Sequence, residues 1–415
     1  MKKTFQGVLE SGGDDGKVPT TEMWRDFIFF IRRRGFMMKK TELSNETLPV
    51  DELHGLADLS TATLEECESA LTQLIKGIQG LDEESMLAVQ ERLDSLTKPL
   101  GSLGVLEHIA KQLGGIQKNP WPEVEKKAVL VMAGDHGVVA EGVSAFPQEV
   151  TPQMFYNFLQ GGAGINVLSR HAKAEVICTD VGIAFPLDPP ELMRNRIKNG
   201  TENMAKGPAM SRKEAILSLL TGAKIARQAI QSGVKVLATG EVGIGNTTPS
   251  AAIISVFTGL PVAEVTGRGT GLDDSALLHK QEVITRSITV NHPNPNDGID
   301  VLSKIGGLEI GALAGVILEA AYSRVPVVLD GVISTAAALI ATQLSPLSRL
   351  YLIPSHSSVE QGHIAALKHL ELKPVMHLDF RLGEGTGAAV AFHLLDASIH
   401  ILNEMATFAS AGVSR

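Results

Sequence analysis

Six short aliphatic runs, separated by helix-length stretches, constrain the fold of this chain more than any other feature. They are Ala128–Ala133, Glu175–Thr179, Val234–Thr239, Val325–Leu329, Leu350–Ile353 and Val375–Phe380. Most are continuously apolar, the pattern of strands covered on both faces. Strands joined through helix-length segments predict right-handed crossovers and a parallel sheet, hence an α/β fold flanked by helices. Helical patterns precede the first run. Leu64, Cys67, Leu71, Leu74 and Ile78 recur at helical spacing, and 82–96 carries acids in its first turn. A further helix is expected from about Val105 to Leu113, after the break at Lys98–Gly104. The last helix, Gly387 to Met405, is expected to return onto these early helices and complete a smaller helical domain built from both ends of the chain. The expected boundaries are 1–55 for a loose extension, 56–120 for the helical segment, 121–386 for the α/β domain and 387–415 for the returning helix.

What leaves each run matters as much as the run. The exits include Gly134-Asp135-His136-Gly137, Asp180-Val181-Gly182-Ile183, Gly240-Glu241-Val242-Gly243, Asp330-Gly331-Val332, Pro354-Ser355-His356 and Arg381-Leu382-Gly383-Glu384-Gly385. Polar groups and glycines thus collect at the carboxyl ends of the strands, the edge at which open α/β sheets bind ligands. Two of these loops hold a glutamate among glycines. Glycine lets backbone pass close to a ligand, and a carboxylate there is suited to take a proton or face a developing cation. Glu241 and Glu384 are therefore the candidate catalytic residues.

The other exits point to a phosphate. Residues 243–250 read as a helix start, with Thr247, Thr248 and Ser250 as capping groups and free N–H donors for an anion. The lysine of a nucleoside-triphosphate loop is absent, and so is a dinucleotide fingerprint. Lys280 follows a second glycine-rich loop at 267–271 and can pair with a phosphate, although a lone helical lysine more often faces solvent. Ser355, Ser357 and Ser358 offer neutral donors. His356 and His363 stand seven apart, the wrong spacing for two ligands on one helix face. No metal or other cofactor is expected, and Asp135 and His136 are read as sugar-hydroxyl ligands or loop braces.

Composition narrows the class. The chain has 415 residues, 44% of them hydrophobic, and a net charge of −9 with both signs interspersed. A basic stripe with interleaved aromatics is missing, which argues against nucleic acid as a partner. The two cysteines, Cys67 and Cys178, are far apart and read as buried thiols of a reducing compartment. No apolar stretch reaches the length of a membrane span, and the arginines at 32–34 follow the short apolar run Phe27–Ile31 instead of preceding it. A cytoplasmic protein is expected. Met37-Met38-Lys39-Lys40 reads as an alternative start, which would make the preceding residues an upstream extension.

Ten segments in order resemble the nicotinate-nucleotide–dimethylbenzimidazole phosphoribosyltransferase family. They are 98–104, 133–138, 151–166, 180–183, 240–248, 267–271, 306–312, 330–334, 355–358 and 382–387, and they span the chain from about residue 60 to its end. The resemblance implies a Rossmann-like, mostly parallel sheet with a smaller helical domain, working as a homodimer. It implies transfer of phosphoribose from nicotinate mononucleotide to 5,6-dimethylbenzimidazole, with Glu384 as general base and Glu241 stabilising charge or binding ribose. Gly243, Gly245, Asn246, Thr247, Gly269, Lys280, Ser357, Ser358 and Gly383 fall on the nucleotide side. Ser102, Leu103 and Leu382 fall on the base side. Two other readings remain open at this point: a hydrolase that uses water as acceptor, and a nucleotide-binding protein without turnover.

Overall fold

The computed structural model of the protein describes residues 53–56, 58–269 and 271–414. The extension expected over 1–55 lies outside the described residues except for its last three. Five strands form one parallel sheet in the order β2-β1-β3-β4-β5. They are β1 (Lys127–Gly134), β2 (Ala174–Gly182), β3 (Val236–Val242), β4 (Val327–Leu329) and β5 (Leu352–Pro354). In β1 every residue is buried, because helices cover both faces. On the β2 edge the burial is incomplete, and Cys178 there is half-buried while Cys67 is fully buried.

The sixth aliphatic run does not join this sheet. Only Met376–His377 (β7) pairs, with His356–Ser357 (β6), in a separate two-stranded sheet. Ser355, between β5 and β6, still donates its N–H to the Leu329 carbonyl (3.0 Å), and Val375 donates to the Pro354 carbonyl (3.1 Å), so the small sheet begins where β5 ends.

Two cores flank the sheet. One face packs against the helices Arg212–Gln231 and Leu308–Tyr322. These two helices meet backbone to backbone. A Cβ at Gly222 would stand 1.8 Å from the Ala312 carbonyl oxygen, and one at Gly315 would stand 1.8 Å from that of Leu219. On the other face, Val129, Val131, Val236 and Ala238 share a core with Leu93 and Leu96, with Ile109 and Leu113, and with Phe392 and Leu395. Those side chains come from the helices Glu83–Ser95, Val105–Gln117 and Thr386–Glu404. The last of these lies against the early helices, and Arg92 donates to the carbonyls of Leu402 (3.1 Å) and Met405 (2.8 Å) near its end. Arg324 ties the Val105–Gln117 helix to the sheet layer through the carbonyls of Ile116 and Gly115, each at 2.8 Å. Among the described residues no helix is long and apolar enough to cross a membrane.

Candidate active site

The carboxyl edge of the sheet carries two chemically opposite groups of side chains. The first begins at Glu241, the penultimate residue of β3 and only 7% exposed. Its Oε2 accepts from the Asn246 amide, and its Oε1 accepts the Glu384 N–H at 3.4 Å. The loop bearing Glu384 passes so close that a Cβ on Gly383 would stand 2.5 Å from Glu241 Oε1. Glycine is required there. Glu384 itself has a left-handed backbone, φ +63°, which costs a non-glycine residue roughly 1–2 kcal/mol. Its Oε2 accepts the Ile165 N–H at 3.2 Å, at the start of the helix Gly164–His171. Positive dipole at that helix end favours the carboxylate.

Two further acids crowd this group. Asp330, at the exit of β4, accepts N–H bonds from Gly385 (3.1 Å), Gly387 (2.8 Å) and Ala388 (3.3 Å). Glu309, fully buried in the first turn of Leu308–Tyr322, pairs with His136 Nε2 at 2.8 Å. The electrostatic result is consistent. Burial lifts the Glu384 carboxyl above its ordinary range, against the opposing Ile165 N–H. Burial drives Glu241 up to about 8, and the Asp330 and Glu309 charges push the same way. Burial also raises Asp330 to about 6, against the backbone N–H groups it accepts. Desolvated acids held together will take a proton or attract a cation.

The second group is cationic. Lys280 is not on a solvated face: it is 1% exposed, and its Nζ donates to Thr247 Oγ1 at 2.6 Å. Burial pulls its pKa down to about 8, against the charge of Glu360. Thr247 is the first residue of the helix Thr247–Thr258, whose positive dipole end lies beside the ammonium; the Thr248 and Ser250 N–H groups already donate to the Gly245 and Asn246 carbonyls, and Pro249 has none. Gly269 packs against the Lys280–Thr247 pair, where a Cβ would stand 3.2 Å from Thr247 Oγ1 and 3.4 Å from Lys280 Nζ. A buried ammonium bonded to a neutral hydroxyl beside a helix start is suited to an anion.

The turn 243–246 joins the two groups. A Cβ on Gly243 would stand 2.1 Å from the Gly134 carbonyl oxygen, so the exits of β1 and β3 touch. Gly245, φ +89°, continues the turn. Asn246 bonds the acidic group and its neighbour Thr247 bonds the cationic one, so a single peptide link separates them.

Other candidates lie differently. Ser358 donates its hydroxyl to the Phe380 carbonyl at 3.0 Å and accepts the Glu360 N–H at 3.3 Å. Ser357 is half-buried in β6. Leu382, 63% exposed, stands beside Gly164 at the mouth of the Glu384 loop. Exposed Ser102 and half-buried Leu103 occupy the turn before Val105–Gln117 and form no hydrogen bond to the Glu384 loop among the described residues; the Leu103 N–H goes to Glu107 at 2.9 Å. Asp135 is a brace, accepting from Thr151 Oγ1 (2.7 Å) and the Ala184 N–H (2.8 Å). Among the described residues no group of three or more His, Cys, Asp or Glu is placed to hold a metal ion. The grip of Asp330, the His136–Glu309 pair and Glu360 beside Lys280 escaped the sequence reading. The one available signal was an acid next to small residues in Gly307-Leu308-Glu309 and Ser358-Val359-Glu360.

A parallel sheet with a buried ammonium and desolvated carboxylates at one edge is the arrangement of a Rossmann-like α/β enzyme. Residues 78–413 match the model of a family described as phosphoribosyltransferase. A relative from Desulforamulus reducens, named nicotinate-nucleotide–dimethylbenzimidazole phosphoribosyltransferase, is 57% identical over 83% of this chain and 99% of its own length. One of the same name from Chloroflexus aggregans is 55% identical over 83% of this chain and 98% of its own. The crystal structure of the Thermus thermophilus protein of that name superposes with a TM-score of 0.76 at 45% identity, covering 81% of this chain and all of that one. The chain belongs to this phosphoribosyltransferase family.

Proposed function

We propose that the chain transfers the 5-phosphoribosyl group of nicotinate mononucleotide to 5,6-dimethylbenzimidazole or a related base. The products are α-ribazole 5′-phosphate, used as the lower-ligand nucleotide of cobalamin, and nicotinate. The observation that carries this reading is the pairing of a buried ammonium with buried carboxylates across a single turn. Lys280, Thr247 and the helix start anchor the phosphate. The ribose then lies along 243–246, with its anomeric carbon toward Glu241 and Glu384.

The chemistry follows from charge. Nicotinate is attached through a pyridinium nitrogen, so the bond from C1′ breaks with its electrons passing to a neutral ring. One benzimidazole nitrogen forms the new bond to C1′, and the proton on the other passes to Glu384. The lifted pKa of Glu384 suits a general base, a role worth about 10²–10⁴-fold. Glu241 faces the positive charge that builds on the ribose. Holding both substrates together contributes up to roughly 7–11 kcal/mol of the barrier. Attack on the face of C1′ opposite the departing nicotinate inverts the β-nucleotide to the α-anomer in one step, without a covalent enzyme intermediate. Ser102, Leu103 and Leu382 are assigned to the acceptor slot, in a homodimer working in the cytoplasm.

The test is nicotinate release with and without the aromatic base. Release that depends on the base, with α-ribazole 5′-phosphate formed in equal amount, is the expected result. Equal rates in both conditions mean that water is the acceptor and overturn the transferase reading.

A further inference from the structure

The Glu384 loop has an unusual backbone, and a buried carboxylate behind it accepts several N–H groups on its C-terminal side. Three consecutive residues, Gly383, Glu384 and Gly385, are left-handed at φ +80°, +63° and +91°. Glutamate does not adopt that conformation unaided. The Glu384 N–H reaches Glu241 only at 3.4 Å, a weak restraint. Shorter contacts come from Thr386, whose Oγ1 donates to the Gly383 carbonyl at 2.8 Å, and from Asp330. Its Oδ2 accepts the Gly385 N–H, and its Oδ1 accepts those of Gly387 and Ala388. Both oxygens are thus turned to the loop and the helix start behind it. Asp330 is itself fixed at the sheet, because its N–H donates to Thr239 Oγ1 at 3.2 Å on β3. It is 2% exposed.

We infer that Asp330 is a positioning residue for Glu384, setting where the general base stands by gripping the N–H groups on its C-terminal side. The inference rests on the proposed role of Glu384 as base. Asparagine at this position keeps the size but turns one acceptor into a donor. It cannot accept from Gly385 on one side and from Gly387 and Ala388 on the other. The loop then loses one anchor, and Glu384 shifts. A displacement of about 1 Å at a reacting group can cost on the order of 10²-fold.

The test is a double-mutant cycle on kcat with Asp330→Asn, Glu384→Gln and the pair, with KM for nicotinate mononucleotide measured alongside. Asp330→Asn is expected to lower kcat about 10- to 100-fold while KM for the nucleotide moves less than about threefold. In the Glu384→Gln background the same change is expected to cost less than about twofold, because the base it positions is gone. Equal losses in both backgrounds, or a rise in nucleotide KM with kcat unchanged, overturn the inference. Wild-type turnover in Glu384→Gln alone overturns the base assignment instead, so the two failures are distinguishable. If Asp330→Asn does not fold, Thr239→Val enters the same cycle, since it loosens Asp330 without touching its carboxylate. A smaller kcat loss that vanishes in the Glu384→Gln background supports the inference; no loss, or the same loss in both, ends it.

Discussion

The two ends of the site solve the burial of charge in opposite ways. At one end, Glu241, Glu309 and Asp330 are all buried, and the Asp330 and Glu309 charges raise the cost of ionising Glu241. At the other, Lys280 is as deeply buried but stands beside a neutral hydroxyl. Neither arrangement is good for stability alone, since a buried charge wants a partner. The crowded acids would be relieved by a cation or a proton, and the ammonium, only partly offset by the Glu360 charge, by an anion. A substrate with a phosphate at one end and a pyridinium at the other relieves both. The contrast teaches that the site's electrostatic debts are complementary to the two ends of one molecule.

The largest effect should come from removing the base. Glu384→Gln is expected to lower kcat by about 10²–10⁴-fold with little change in nucleotide KM. A loss confined to KM would make Glu384 a binding group and dissolve the contrast. Next comes the cationic end. Lys280→Ala removes a charge-assisted bond worth about 1.5–3 kcal/mol, so KM for the nucleotide should rise about 10- to 150-fold, with kcat less affected. The same lysine predicts a pH effect. Its ammonium is present below its pKa of about 8 and lost as pH rises through it. Accordingly, kcat/KM for the nucleotide should fall above pH 8 in the wild type. That limb should disappear in Lys280→Ala; its persistence there would place the titration elsewhere. The smallest effect should be at Glu360, whose charge faces Lys280 and whose own pKa is raised by burial. Glu360→Gln removes a like charge from the neighbourhood of the phosphate, and nucleotide KM should drop by about twofold to tenfold. A rise would show that Glu360 holds the lysine in place instead.

The sheet was legible because strands covered on both faces read as unbroken apolar runs, and five of the six runs are strands of the main sheet. The sixth, Val375–Phe380, carries His377 and Asp379 among its apolar residues, and only Met376–His377 pairs, with β6 past the end of β5. Glycine flanks made Glu241 and Glu384 visible as candidates although they lie 143 residues apart. Lys280 was harder. Its helix shows a lysine among mixed residues, and nothing local reveals that the loop around Gly269 lies over it. The grip of Asp330 was invisible for the same reason, since its N–H donors lie 55 to 58 residues further along the chain. Local pattern fixes what a segment becomes; only tertiary contact decides which polar groups meet.

The crossing at Gly222 and Gly315 bears on how such a catalyst can diversify. The Leu308–Tyr322 helix carries Glu309 at one end, and where it meets its neighbour there is no side chain left to trim and no room for a methyl group. The packing on that side leaves no room for a larger residue. On the proposal that Leu382 lines the acceptor slot, accommodation of bulkier or smaller aromatic acceptors is expected at the Glu384 loop, where Leu382 is largely exposed. Among natural variants of this chain, taste for different bases should track residues of that outer lip, while the touching helices stay as they are.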